Sequence, residues 1–311
     1  CEKPVSANVP TNLLRGIIGP YGYFRGRLYF FMTFISSPAN ARVRKARDLL
    51  TGRGRKQHGL FLMEGPHLLE SVLDAGVMPA EVFYQPDLLG RTPQGQALLE
   101  RFLSSASLPA ERLVEVSERV IEALGETESP QGVVSVLPMD AFAPEQTSRR
   151  RAPARRPALL ILDALADPGN MGTILRTALA ADVEAVLLTP NCVDSFSPKV
   201  VRSAVGAHVA LPIAVNQSWP DILRLVEAHC EGQPRVFLAE SGHTGWYFEQ
   251  DLRSPFALII GNEAHGPSQQ ARSIATDTIS IPLANNVESL NAAMAAGIIL
   301  YEAVRQRYQR G

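Results

Sequence analysis

From residue 158 onward the chain alternates continuous apolar runs with amphipathic stretches. ALLILDAL (158–165), EAVLLTP (184–190), RVFLAE (235–240), FALIIG (256–261) and the run 277–283 predict strands. NMGTILRTALAA (170–181) and SPKVVRSAVGA (197–207) predict helices between them, and a last helix is expected to open at Ser289-Leu290-Asn291. Unbroken apolar strands separated by helices imply an α/β fold with a parallel sheet covered on both faces. Ligands of such sheets sit beyond the carboxyl ends of the strands, so polar residues just after each strand carry the functional interest.

The preceding part, 32–140, is less regular. LFLMEG (60–65), EVFY (81–84) and GVVSVLP (132–138) read as strands. PHLLESVLDAG (66–76) reads as a helix, with Pro66 at its start and Gly76 as its stop. A small α/β domain is expected here. AFAPEQTSRRRAPARRP (141–157) has no periodicity and reads as a linker to a second domain, 158–311. Residues 1–31 read as an extension ahead of Met32, or as a transit-type segment.

Charge sharpens this outline. The chain holds 30 basic and 31 acidic residues, but NARVRKARDLLTGRGRKQH (40–58) has seven basic residues and one acid, and RRRAPARR (149–156) has five arginines. Two basic patches on an otherwise acidic chain suit a polyanion such as RNA, although each alone also fits a solvated helix face or a linker. The three cysteines, Cys1, Cys192 and Cys230, have no metal or redox spacing, which suits a reducing cytoplasm. No apolar run approaches the ~20 residues that span a bilayer. G-x-G-x-x-G, the P-loop, H-E-x-x-H and G-x-S-x-G are all missing, which removes dehydrogenase, P-loop NTPase, zincin and α/β-hydrolase readings.

Three strand-end clusters remain. After the first strand, Asp167-Pro168-Gly169 makes a turn and Asn170 can cap the following helix. On that helix Gly172, Arg176 and Ala180 share one face, a long cation between small residues that suits a closely approaching phosphate or sugar, or simply a surface arginine. In GNEAHGP, Gly261 and Gly266 bracket Asn262, Glu263 and His265, either a ligand loop or an ordinary turn. In IPLANNVESLNAAMAAGIIL, Ser289 and Asn291 stand at a helix start, where free backbone N–H groups collect. Ala292 to Leu300 has no charged residue, so that helix is expected to be buried all round, within its own chain or against a twin subunit.

Taken together and in order, NMGTILRTA, LIIGNEAHG and IPLANNVESLNAAMAAGIILYEA resemble the three motifs of the SpoU/TrmH family of RNA ribose 2′-O-methyltransferases, in the SPOUT superfamily. SFSPKVVRSAVGAHVALPI (195–213) is similar to the stretch between the first two motifs, and LFLMEGPHLLESVLDAG to the family's substrate-binding domain. The resemblance spans about residues 36–308 and shows no departure at the motif positions.

The resemblance implies a trefoil-knotted SPOUT methyltransferase domain preceded by a small α/β substrate-binding domain. It implies S-adenosylmethionine as cofactor, no metal, RNA as partner, and a homodimer formed through the knotted domain. Backbone around Gly261, Ile281 and Leu290 would hold the adenosine part. Asn170, Arg176, Glu263, Ser289 and Asn291 would line the reaction site. RNA capture would fall to the first domain and to Arg42, Arg44, Lys45 and Arg47. The expected reaction is methylation of a ribose 2′-hydroxyl in ribosomal RNA. Transfer RNA is the alternative substrate, and a non-catalytic RNA-binding or ribosome-assembly protein the alternative class. No membrane association is expected, and the cytoplasm is the expected location, or an organelle if residues 1–31 are a transit segment.

Overall fold

The computed structural model describes residues 33–308 except 105–107, 126, 128, 151, 153–157, 243 and 244. The expectation for residues 1–31 lies outside the described residues.

Two sheets organise the chain. The first holds β1 (Thr33–Ile35), β2 (Leu60–Glu64), β3 (Glu81–Tyr84), β4 (Leu113–Val116) and β5 (Val133–Pro138) in the order β1-β4-β3-β5-β2. β4 runs parallel to β1 and β3, whereas β5 runs antiparallel to β3 and β2. Its helices are α1 (Ala41–Asp48), α2 (Gly52–His58), α3 (Pro66–Asp74), α4 (Pro86–Leu89), α5 (Pro93–Ser104), α6 (Glu118–Leu124) and α7 (Pro144–Arg149). The second sheet holds β6 (Ala158–Leu162), β7 (Ala185–Leu188), β8 (Ile213–Ala214), β9 (Val236–Ala239), β10 (Phe256–Ile260) and β11 (Asp277–Ile279), in the order β11-β9-β10-β6-β7-β8. All its pairings are parallel. Its helices are α8 (Pro168–Ala180), α9 (Pro198–Ala204), α10 (Trp219–His229), α11 (Gln269–Ile274) and α12 (Ala292–Tyr308). No helix among the described residues is long and apolar enough to cross a membrane.

The second sheet follows from its sequence. Every residue of β6 and β10 is buried, as a parallel strand covered on both faces requires. From β6 the chain moves one way to β7 and β8, then returns to build β9 and β10 on the other side of β6. The order therefore reverses between β6 and β10, whose ends lie in register at Leu162 and Ile260. The crevice beyond that reversal is where this kind of sheet takes its ligand.

Segment 141–157, expected as a linker, is structured where it is described. Phe142 and Thr147 are buried, α7 occupies 144–149, and the Arg150 guanidinium donates to the Ala141 carbonyl at 2.6 Å. Proline and arginine disguised this as open chain, but Pro144 stands at the first turn of α7, where proline is tolerated.

The two sheets share buried material. Phe61, Met63, Leu68, Val72 and Leu137 from the first part form one apolar cluster with Phe196, Val201 and Val209 from the second. Arg55 of α2 adds a polar fastening. Its side chain is 4% exposed; it donates to the carbonyls of Leu49 and Leu50 and pairs with Asp194 at 2.7 Å. The basic stretch 40–58 is thus not a uniformly solvated face.

His208 sits in the same region, beside the rings of Phe61 and Phe196, with Nε2 2.7 Å from the Ser195 carbonyl. Full burial pushes its pKa down to about 4. The folded value lies below the ordinary 6.5, so the neutral ring's contribution is complete above pH 6.5 and lost as pH falls towards 4. About 3 kcal/mol of stability should disappear across that window. Chemical denaturation of wild type and His208→Gln at stepped pH checks this: the variant should lose distinctly less stability between pH 6.5 and 4, and parallel profiles would refute it.

For the last helix, one expectation is corrected and one that had two alternatives is narrowed. α12 begins at Ala292, with the Asn291 side chain accepting from Ala293 N at 2.9 Å and Met294 N at 3.3 Å, so Ser289 lies in the loop before it. Nor is α12 buried all round within one chain. Ala293, Ala296, Ile299 and Leu300 face the core, but Met294 is 59% and Tyr301 50% exposed. An uncharged helix shows only that water is unfavourable around it; what covers each side is set by tertiary packing.

Candidate active site

The loops after β6 and β10 and the segment before α12 meet around a cleft of about 620 Å³. Ile260, Gly261, Ile281, Leu283, Leu290 and Ile299 give it apolar walls, and Asn170, Glu263, Ser289 and Asn291 a polar end. This volume and mixture suit a ligand of nucleoside size.

The polar end is a hydrogen-bonded chain. Asn291 Nδ2 donates to Asn170 Oδ1 at 2.8 Å, and Asn170 Nδ2 donates to Glu263 Oε1 at 2.9 Å. Glu263 also accepts from the backbone of Ala166 at 3.1 Å and Asp167 at 3.2 Å. One carboxylate thereby ties the β10 loop to the β6–α8 turn. Burial alone would raise its pKa, but the bonds from Asn170, from Ala166, from its own backbone and from Asp167 outweigh that and hold it below the usual carboxylate range.

Asn170 was expected to cap α8. Asp167 does so instead: its side chain accepts from Asn170 N at 2.7 Å, with Pro168 at the first helical position. The Asn170 amide is thereby left to bridge Glu263 and Asn291.

Gly172 also differs from its expected role. A Cβ there would lie 2.4 Å from Ser203 Cβ and 2.8 Å from the Val200 carbonyl, so its smallness serves the close packing of α8 on α9. Gly261 is small for a comparable reason, since its Cβ would meet the Pro267 nitrogen at 2.5 Å as the loop doubles back.

The cleft gathers Asn170, Glu263, Ser289 and Asn291 with Gly261, Ile281 and Leu290. Arg176 is not among its lining residues; it is exposed on α8 and forms no ion pair or hydrogen bond among the described residues. On α1, Arg44, Lys45 and Arg47 are exposed, whereas Arg42 is drawn into an ion pair with Glu81 and donates to the Glu111 carbonyl at 3.3 Å.

Several supporting roles escaped the sequence reading. Asn262 donates to the Ala164 carbonyl at 2.7 Å and accepts from Ala264 and His265 N, which shapes the loop. Asp163, 3% exposed, accepts from Ser268 N at 2.6 Å and anchors the end of the same loop. Its position was signalled: a lone carboxylate closing an apolar strand must find a donor. Glu240 and Glu288 also line the cleft; Glu240 ends the RVFLAE run and Glu288 stands just before Ser289 in the third motif, yet neither was singled out.

Comparison with known proteins agrees with this geometry. Residues 157–301 match the SpoU rRNA Methylase family, and 40–135 match the MRM3-like substrate binding domain. An uncharacterized tRNA/rRNA methyltransferase of Synechocystis is 38% identical over 88% of this chain and 94% of its own. A 23S rRNA (guanosine(2553)-2′-O)-methyltransferase of Bacillus subtilis, RlmP, is 33% identical over 87% of this chain and 98% of its own. The crystal structure of an AdoMet-bound rRNA methyltransferase from Sinorhizobium meliloti is similar with a TM-score of 0.72 at 29% identity, covering 88% of this chain and 98% of that one.

Proposed function

Because the chain belongs to the SpoU family of RNA methyltransferases, we propose that it transfers a methyl group from S-adenosylmethionine to a ribose 2′-hydroxyl of ribosomal RNA. The observation that carries this reading is the Asn291–Asn170–Glu263 chain closing one end of a nucleoside-sized cleft. The apolar walls near Gly261, Ile281 and Leu290 fit an adenosine group, which leaves the polar end for the ribose that is methylated.

Bound S-adenosylmethionine supplies a methyl already activated on a sulfonium. In the transfer the S–CH₃ bond breaks, an O–CH₃ bond forms, and the hydroxyl proton leaves to solvent. The protein has to place the ribose oxygen in line and stabilise its developing negative charge. Asn291 and Asn170, locked to each other, orient the ribose, and Ser289 offers a further hydroxyl there. Glu263 has its oxygens committed to three donors, so its part is to hold Asn170 and the loops in position. Arg176 reaches the RNA from outside the cofactor cleft, binding the neighbouring phosphate and the developing alkoxide. A guanidinium stays protonated, which argues against its serving as a plain base.

Three wider features belong to the proposal. Arg44, Lys45 and Arg47 of α1 offer phosphate contacts. The uncovered side of α12, with Met294 and Tyr301, suits a second copy of the chain. Segment 280–291 leads from β11 at one sheet edge to Asn170 near the sheet's middle, consistent with a trefoil knot. A cytoplasmic location follows the bacterial relatives.

The test is methyl transfer from labelled S-adenosylmethionine to unmodified ribosomal RNA, mapped by resistance of the modified linkage to alkaline cleavage. One resistant position is the expected result. Labelled base rather than ribose would overturn the reading.

A further inference from the structure

Among the described residues, three side chains lining the cleft carry formal charge, and all are carboxylates: Glu240, Glu263 and Glu288. No lysine, arginine or histidine among the described residues lines it. Two of the three are already engaged. Glu240 is paired with both terminal nitrogens of the Arg272 guanidinium, and Glu263 is held by Asn170 and backbone donors. Glu288 is exposed and has no hydrogen bond or ion pair among the described residues. A polyanionic RNA gives no reason to leave an uncompensated carboxylate in the cleft. The cofactor gives one.

At neutral pH S-adenosylmethionine carries a sulfonium, an ammonium and a carboxylate, a net charge of +1. Its product, S-adenosylhomocysteine, keeps the ammonium and carboxylate but has lost the sulfonium charge. In the proposed reaction the sulfonium would carry its methyl toward the Asn291–Asn170–Glu263 chain, and Glu288, three residues before Asn291, lines the same cleft. We propose that the Glu288 carboxylate is a cofactor-binding group that senses the sulfonium, favouring the charged cofactor over the neutral product. This rests on the reading that the cleft holds S-adenosylmethionine. The attraction ends with the transfer itself, so the product is released more readily than the cofactor.

The test is calorimetric binding of S-adenosylmethionine and S-adenosylhomocysteine to the full chain, for wild type, Glu288→Gln and Glu288→Asp, at low and high salt. One unit charge about 4 Å from another in water-like surroundings is worth about fivefold in affinity. Glu288→Gln should bind the cofactor about fivefold more weakly and the product within twofold of wild type. Glu288→Asp should keep most of the preference. Raising the salt should shrink the wild-type preference and leave the glutamine variant's unchanged. Equal weakening for both ligands would overturn the proposal, because the carboxylate would then serve a group that both share. Unchanged binding of both would also overturn it. A wild type that bound neither ligand would instead overturn the reading of the cleft, and this proposal with it.

Discussion

Arg176→Lys should lower the rate of methyl transfer by about 100-fold or more while leaving cofactor affinity within twofold. The size follows from the proposed role: removing one well-placed donor to a developing oxyanion typically costs about 10²–10³ in rate. Lysine keeps the charge but not the planar fork that can hold a phosphate and an alkoxide together. The separation of the two effects follows from position, since Arg176 stands on the exposed face of α8 and does not line the cleft. Single-turnover transfer to the RNA and calorimetry with the cofactor measure the two independently. Near-normal transfer by the lysine variant would remove Arg176 from the reaction. A loss of cofactor affinity matching the loss of rate would place it in the cleft instead.

The second large effect concerns stability. Asp194→Asn should destabilise the protein by about 3 kcal/mol, because it strips the charge partner from a guanidinium that is almost wholly buried. Asparagine keeps an oxygen for Phe196 N, which now donates to Asp194 at 2.9 Å, so the loop itself is spared. Replacing both partners, Arg55→Met with Asp194→Asn, should recover most of the loss, since an apolar side chain leaves no charge to compensate. Urea midpoints of the three proteins decide it. A loss below about 0.5 kcal/mol in Asp194→Asn would mean that the carbonyls of Leu49 and Leu50 satisfy Arg55 unaided.

These two arginines also show what the sequence could disclose. Arg176 drew notice because it stands in NMGTILRTA, on the helix that follows an apolar strand. Arg55 was not, because it lies among seven basic residues whose composition is the same whether a given one faces water or a carbonyl. The strands of the second sheet were found to within a few residues, since burial on both faces writes an unbroken apolar run. β8 escaped because two residues carry no period, and β1 because it is three residues long. The glycine in NMGTILRTA was visible, but smallness alone does not say whether a ligand or a neighbouring helix demands it. In DPGN either Asp167 or Asn170 could serve as the cap; the cap and the amide that bridges to Asn291 had to be separated by geometry. Glu288 lies inside IPLANNVESLN but was passed over beside Ser289 and Asn291, and its interest comes from the company of carboxylates around the cleft.

The apolar cluster built on Phe61, Phe196 and Val201 has a consequence for how a substrate is chosen. A hinge needs an interface that can open, and this one is packed with side chains from both sheets and pinned by Arg55. The span from α1 to the cleft is therefore constant, like the opening of a locked caliper. If RNA is held along α1 as proposed, the ribose presented for methylation would be selected by its distance from the gripped element as well as by its identity. An RNA lengthened or shortened between those two points would bind as before and go unmodified.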